Sequence, residues 1–212
     1  MAQLSVPTDS PVFADEFDDG VVSGWTSVVP AGSLTLTEDL GLLSMLVSGA
    51  AASDCSAIVR ALPAFTTSLT VEVCARTIGL DGNYLMFGPV FSRGVVDTDA
   101  VIWQMNYNWG RSGFAQRDIR SGTFTNAPTD HNAPGSSLGM TGPLLFLRFR
   151  YDVTNGFRQW HSADRVSWLD GGSWVANPMG GAPTHFGVGI SNWGDANPRI
   201  GTLEYVRAYA DL

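Results

Sequence analysis

Gln159 to Trp168 reads QWHSADRVSW. Two tryptophans and a histidine flank SADR, a short polar segment. Ser and Asp side chains bond backbone groups two or three residues on, so SADR predicts a tight turn. The stretch before it, LLFLRFRYDV (Leu144–Val153), alternates strictly. Leu145, Leu147, Phe149, Tyr151 and Val153 fall on one side, and Arg148, Arg150 and Asp152 on the other. Period 2 with one polar face predicts a half-buried antiparallel strand. TNG (Thr154–Gly156) then offers a turn into the next strand. Two hairpins in succession predict a sheet protein, with Trp160 and Trp168 on the two arms of the second.

The same pattern recurs along the chain. SLTVEVCAR sets Leu69, Val71 and Val73 against Thr70, Glu72 and Cys74. VIWQMNYNW sets Val101, Trp103, Met105, Tyr107 and Trp109 against Ile102, Gln104, Asn106 and Asn108. SLTLTE, LLSMLV, SAIVRAL, YLMFGPVF, HFGVGIS and LEYVRAY add further strands, separated by DDG, DGN, TNG, GG and NPRIG turns. Nothing shows a sustained 3.6-residue period with caps, so helix is expected in less than about a tenth of the chain. Roughly ten to twelve short strands of this kind predict an all-β, antiparallel jelly-roll sandwich. Residues 1–12 read as an N-terminal extension and 13–212 as a single domain. Ser121–Pro143, polar and rich in Gly, Pro and Ser, reads as a long surface loop.

The order of elements resembles the concanavalin A-like lectin/glucanase superfamily, in particular its laminin-G-like jelly-roll members. FADEFDDGVVSGWT opens the globular part, the Arg-bearing strand leads into FRQWHSADRVSW, HFGVGISN follows, and GTLEYVRAY closes the chain. In that family an aromatic-rich strand runs into a Ser-x-Asp-Gly-x-x-Trp hairpin, and the last strand pairs near the first. Ser162, Asp164 and Trp168 fit this pattern, whereas Arg165 stands where glycine is usual. The resemblance implies the fold and carries little about activity.

Composition narrows the function. The chain has 212 residues, 44% hydrophobic and 15% charged, with a net charge of −8. Acidic chains are repelled by nucleic acid and anionic membranes, so neither is an expected partner. No apolar run approaches a membrane span, and no signal peptide is visible in MAQLSVPTDSPVF. All twelve basic residues are arginine. A lysine-free chain fits GC-rich coding, which bears on origin and not on mechanism. Two cysteines are too few for a disulfide scaffold. If residues 55–62 and 68–77 pair through PAFTT, Cys55 and Cys74 lie nearly opposite and admit a bridge; otherwise both are unbridged buried thiols.

Catalytic signals are sparse. Members of the superfamily that cleave β-glucans use a Glu-x-Asp-x-x-Glu strand, because retaining hydrolysis needs two flanking carboxylates. The aromatic strand here carries Gln104, Asn106 and Asn108 instead. The four glutamates, Glu16, Glu38, Glu72 and Glu204, are not spaced for one strand face. Nucleophile-elbow, zincin and phosphate-loop motifs are missing, and the sequence places no acid-base motif around His161. The expectation is therefore a non-enzyme without cofactor or metal. DEFDDG could gather calcium on Asp15, Asp18 and Asp19, but reads more simply as a solvated turn, as does DTD at Asp97–Asp99.

Sugar sites combine an aromatic platform with planar amides. Gln104, Asn106 and Asn108 at i, i+2, i+4 share one sheet face, and Trp109 and Trp193 sit at loop edges beside them. These five residues are the candidate carbohydrate site. Three readings stand open. One is a bacteriophage virion surface protein (head decoration, tail or fibre) with a lectin-like fold, bound to other virion proteins, homo-oligomeric and touching a cell-surface glycan. The second is a cellular or extracellular carbohydrate-binding module. The third is a glycoside hydrolase.

Overall fold

The computed structural model describes residues 10–30, 32–49, 55–76, 85–96, 99–107, 114–124, 126–130, 144–191 and 197–211; for 85–86, 103–107, 114–120 and 126–130 it describes the backbone. Among these there is no helix, and fifteen strands are numbered β1 to β15 along the chain. They form two antiparallel sheets. The eight-stranded sheet runs β13 (Leu169–Asp170), β12 (Gly156–Ser162), β11 (Leu144–Asp152), β6 (Ser68–Arg76), β15 (Arg199–Ala210), β4 (Leu42–Ser48) and β3 (Ser33–Asp39), with β1 (Phe13–Asp15) also on β15. The seven-stranded sheet runs β10 (Asn126–Asp130), β9 (Phe114–Thr123), β8 (Asp99–Tyr107), β7 (Leu85–Ser92), β14 (His185–Ser191), β5 (Ser56–Ala61) and β2 (Thr26–Val28).

The chain changes sheet at β1–β2, β2–β3, β4–β5, β5–β6, β6–β7, β10–β11, β13–β14 and β14–β15. That alternation makes it a jelly roll, as the sequence predicts. The first strand pairs with the last through Phe13–Ala208 and Asp15–Val206.

Period 2 works as expected on the inner face. Leu145, Leu147, Phe149 and Tyr151 of β11 and Leu69, Val71 and Val73 of β6 meet Phe87, Phe91, Phe186 and Val188 from the other sheet in one core. Phe91, Phe149 and Phe157 stack there with centroids 5.4–5.7 Å apart. Each such pair contributes about 0.5–1.5 kcal/mol beyond its buried area. Close approach of the sheets demands small residues: a Cβ on Gly201 would stand 2.6 Å from the Phe87 ring.

One open alternative is settled and two expectations are corrected. First, β5 and β6 do not pair. The connection between them crosses from one sheet to the other, so Cys55 and Cys74 lie in different sheets as buried thiols with no bridge between them. Second, the polar face of β6 is not solvated: Ser68 to Ala75 is buried on both sides, because the Ser162–Trp168 turn folds over its outer side. Third, 121–130 is not loop. β9 runs to Thr123 and turns at buried Phe124 into β10, while 131–143 lies outside the described residues.

Candidate functional site

Two outer faces compete, one on each sheet. On the eight-stranded sheet the turn after β12 folds as its sequence demands. Asp164 Oδ1 accepts from the Ser162 hydroxyl and from the Val166 and Ser167 N–H groups, at 2.9, 2.8 and 2.7 Å. These bonds hold the Asp164 carboxyl down at about 2. Arg165 takes the left-handed region, φ +63°, and aims its side chain back at β6.

There Glu72 is completely buried. Its Oε2 accepts from Arg148 Nε at 2.8 Å, and its Oε1 from Arg165 Nε and the Tyr205 hydroxyl, each at 2.8 Å. Trp168 closes the cluster, with its ring 3.8 Å from the Arg148 guanidinium and its indole N–H donating to the Arg165 carbonyl at 3.0 Å. Burial pushes the Cys74 thiol beside this cluster up to about 12, with Glu204 adding to the shift. Burial, then Glu72, raises the Tyr205 phenol as well. Both stay protonated at neutral pH. The Gln159–Trp168 stretch therefore packs and clamps, and Trp168 is buried outside the inter-sheet core. Trp160 does not meet Trp168; it packs edge-on against Trp174 at 6.5 Å. His161 is buried on the inner side of β12, at the register position of Leu147.

On the seven-stranded sheet, β8 holds two of the five expected carbohydrate-site residues within its register. Gln104 pairs with Asp118 of β9, and Asn106 with Gln116 of β9 and Met86 of β7. Strand alternation puts positions 104 and 106 on the side of Ala100 and Ile102, away from the main core. Next to them in the same sheet, Gly88 of β7 pairs with Gly189 of β14. Asn108, Trp109 and Trp193 lie outside the described residues, as do Asp97 and Thr98.

Part of this face is not the open polar surface that alternation suggested. Ala57, Val59, Val90, Ala100 and Ile102 form a second apolar cluster there, under Cys55 and Phe124. The Cys55 N–H donates to the Phe124 carbonyl at 2.8 Å, tying the start of β5 to the β9–β10 turn across the intervening strands. Gly189 makes room for this cover, since a Cβ there would stand 2.7 Å from Cys55 Sγ. The sequence reading missed Gln116, Asp118 and Arg120. Their own period 2, in FAQRDIR, was the available signal.

The acidic opening has structural work. Asp15 accepts from the Trp25 indole N–H at 2.7 Å and from the Phe17 N–H at 3.0 Å. Asp19 accepts from the Val21 N–H, and Asp18 is exposed. Among the described residues no three His, Cys, Asp or Glu side chains gather as metal ligands.

No protein-family model and no curated protein matches the sequence. Solved structures do match in fold. A xylan β-1,4-xylosidase from Bacillus halodurans C-125 aligns at TM-score 0.59 and 15% identity over 95% of this chain and 40% of that one. An endo-β-1,3(4)-glucanase of family GH16 aligns at TM-score 0.56 and 16% identity, over 100% and 95%. A carbohydrate esterase from the Shiga toxin-encoding bacteriophage phi24B aligns at TM-score 0.53 and 12% identity, over 96% and 99%. The chain thus spans about two fifths of the xylosidase's length. At these identities the likeness establishes the jelly-roll fold, one found in carbohydrate-acting proteins.

These likenesses correct the non-enzyme expectation. The fold here is compatible with catalysis, since all three proteins are named as enzymes. The physical reason lies in the sheet. Counting acids along one strand omits what the neighbouring strand contributes, and β9 brings Asp118 opposite Gln104.

Proposed function

We propose that this chain recognises glycans on the outer side of the seven-stranded sheet, beside the covered apolar cluster. The observation that carries the reading is the cross-strand block Gln104–Asp118 and Asn106–Gln116. It puts three amides and a carboxylate at four adjacent register positions. Planar amides and carboxylates bond vicinal sugar hydroxyls in pairs. Asn108, Trp109 and Trp193 complete the site as its rim in this reading, with an indole for the apolar face of a pyranose. We place the chain on a bacteriophage virion surface, where it meets other virion proteins and a host-cell glycan. The lysine-free composition and the full-length likeness to a phage carbohydrate esterase support that placement.

The test is a glycan array probed with wild type and with Asn106→Ala/Asn108→Ala. Wild type is expected to retain specific glycans, and the double variant to lose at least tenfold in affinity with its melting temperature unchanged. Equal retention by both proteins removes the site from this face. An array that retains neither defeats the glycan reading altogether.

A further inference from the structure

Among the described residues the paths of the two sheets end in four strands, and three of these edges are blunted; β1, off the path, is itself only three residues long. β2 has three residues and β13 two. β10 contains Pro128 and a register shift against β9. Short strands, proline and bulges are the usual means of stopping one sheet from adding to another. The fourth edge, β3, has none of them. Ser33–Asp39 pairs with β4 over seven consecutive residues without a shift. It carries no proline and no basic residue, and its acids come only at Glu38 and Asp39. Among the described residues no strand pairs with its other side. Ser33, Thr35, Thr37 and Asp39 are exposed, while Leu34 and Leu36 are half-buried against the core.

We infer that β3 is a homodimer edge: it pairs antiparallel with β3 of a second copy, about a two-fold axis through Leu36. The charge pattern selects both occupant and direction. In this register Ser33 meets Asp39 of the partner subunit, Leu34 meets Glu38 of the partner subunit, and Thr35 meets Thr37 of the partner subunit. No acid faces an acid, and two Thr–Thr cross-strand pairs form, which are favourable neighbours in a sheet. Parallel pairing would set Glu38 and Asp39 against themselves. A two-fold contact of this kind is self-complementary and closes at two copies. Leu40, 92% exposed at the turn after β3, falls at the end of the same edge. The pairing joins eight-stranded sheets and leaves both seven-stranded outer faces free. It stands independently of the glycan reading.

Sedimentation velocity of the full chain at about 100 µM tests it through two double variants at exposed positions. Wild type should run at twice the chain mass. Thr35→Lys/Thr37→Lys places lysine opposite lysine and should halve that mass. Thr35→Lys/Thr37→Glu places lysine opposite glutamate in the antiparallel register and should restore it. Circular dichroism and melting should match wild type in both. A monomeric wild type overturns the inference, as does a Lys/Lys variant that keeps its mass. A Lys/Glu variant that stays monomeric overturns the register.

Discussion

Arg165 Nε lies 2.8 Å from the buried carboxylate of Glu72, reaching it from a backbone position with φ +63°. A residue whose backbone favours glycine has instead been made a side-chain anchor. The left-handed conformation brings the Cβ of any residue but glycine too close to a carbonyl oxygen, and the charge-assisted bond to Glu72 offsets that strain. The turn is thereby fastened to a strand 93 residues away in sequence.

Arg165→Gly should therefore destabilise the protein despite relaxing its backbone. The lost bond to a buried charge outweighs a backbone relief on the order of 1 kcal/mol, leaving a net loss of about 1–2 kcal/mol. In a Glu72→Gln background the same substitution should cost less, because the backbone relief is then set only against the bond from Arg165 Nη2 to the Tyr209 hydroxyl at 3.2 Å and the contact with the Tyr205 ring. A double-mutant cycle from urea denaturation measures this coupling. Equal effects in both backgrounds would show that the 2.8 Å contact contributes nothing.

Trp168→Ala should cost about 3–5 kcal/mol, the usual range for a large buried aromatic. The indole covers the Arg148 guanidinium, so the substitution also admits water to the Glu72 cluster. Denaturation curves check the magnitude. A variant that melts like wild type would mean that the ring is dispensable packing.

The turn should loosen in acid. Asp164 has a carboxyl lowered from 3.8 to about 2 by its bonds from Ser167 and Val166 N–H and the Ser162 hydroxyl. A depressed carboxyl contributes stability that is complete above the unfolded value and lost as pH falls through the folded one. The loss belongs between roughly pH 4 and pH 2. Asp164→Asn should flatten that part of the stability–pH curve, and an unchanged acid limb in the variant would contradict the assignment.

Neither thiol should form a disulfide in the folded chain. Dithiothreitol should leave the melting temperature where it was. Cys74, held protonated by burial and Glu204, should resist alkylation at pH 8. Both cysteines should react once the chain is unfolded in guanidinium. A mass loss of two hydrogens in the native protein would refute this.

The sequence by itself determined the strongly alternating strands and the SADR turn, but not β9 and β10. Alternation in LLFLRFRYDV and SLTVEVCAR is imposed by the pleat, which sends successive side chains to opposite sides whatever lies beside the strand. SADR likewise folds through bonds within four residues. Partnership between strands is a long-range matter that no local period encodes. Only the tertiary structure separated β5 from β6 and so parted the two cysteines. It alone buried the polar side of β6, because the cover arrives from residues 162–168. The candidate site divides in the same way. That Gln104 and Asn106 share a side was legible from period 2. That Asp118 and Gln116 stand opposite them, and that Phe124 and Cys55 roof the adjoining cluster, depended on register and chain crossing. Those are settled by the packing of the whole sheet, where a shift of one residue would turn every side chain to the other face.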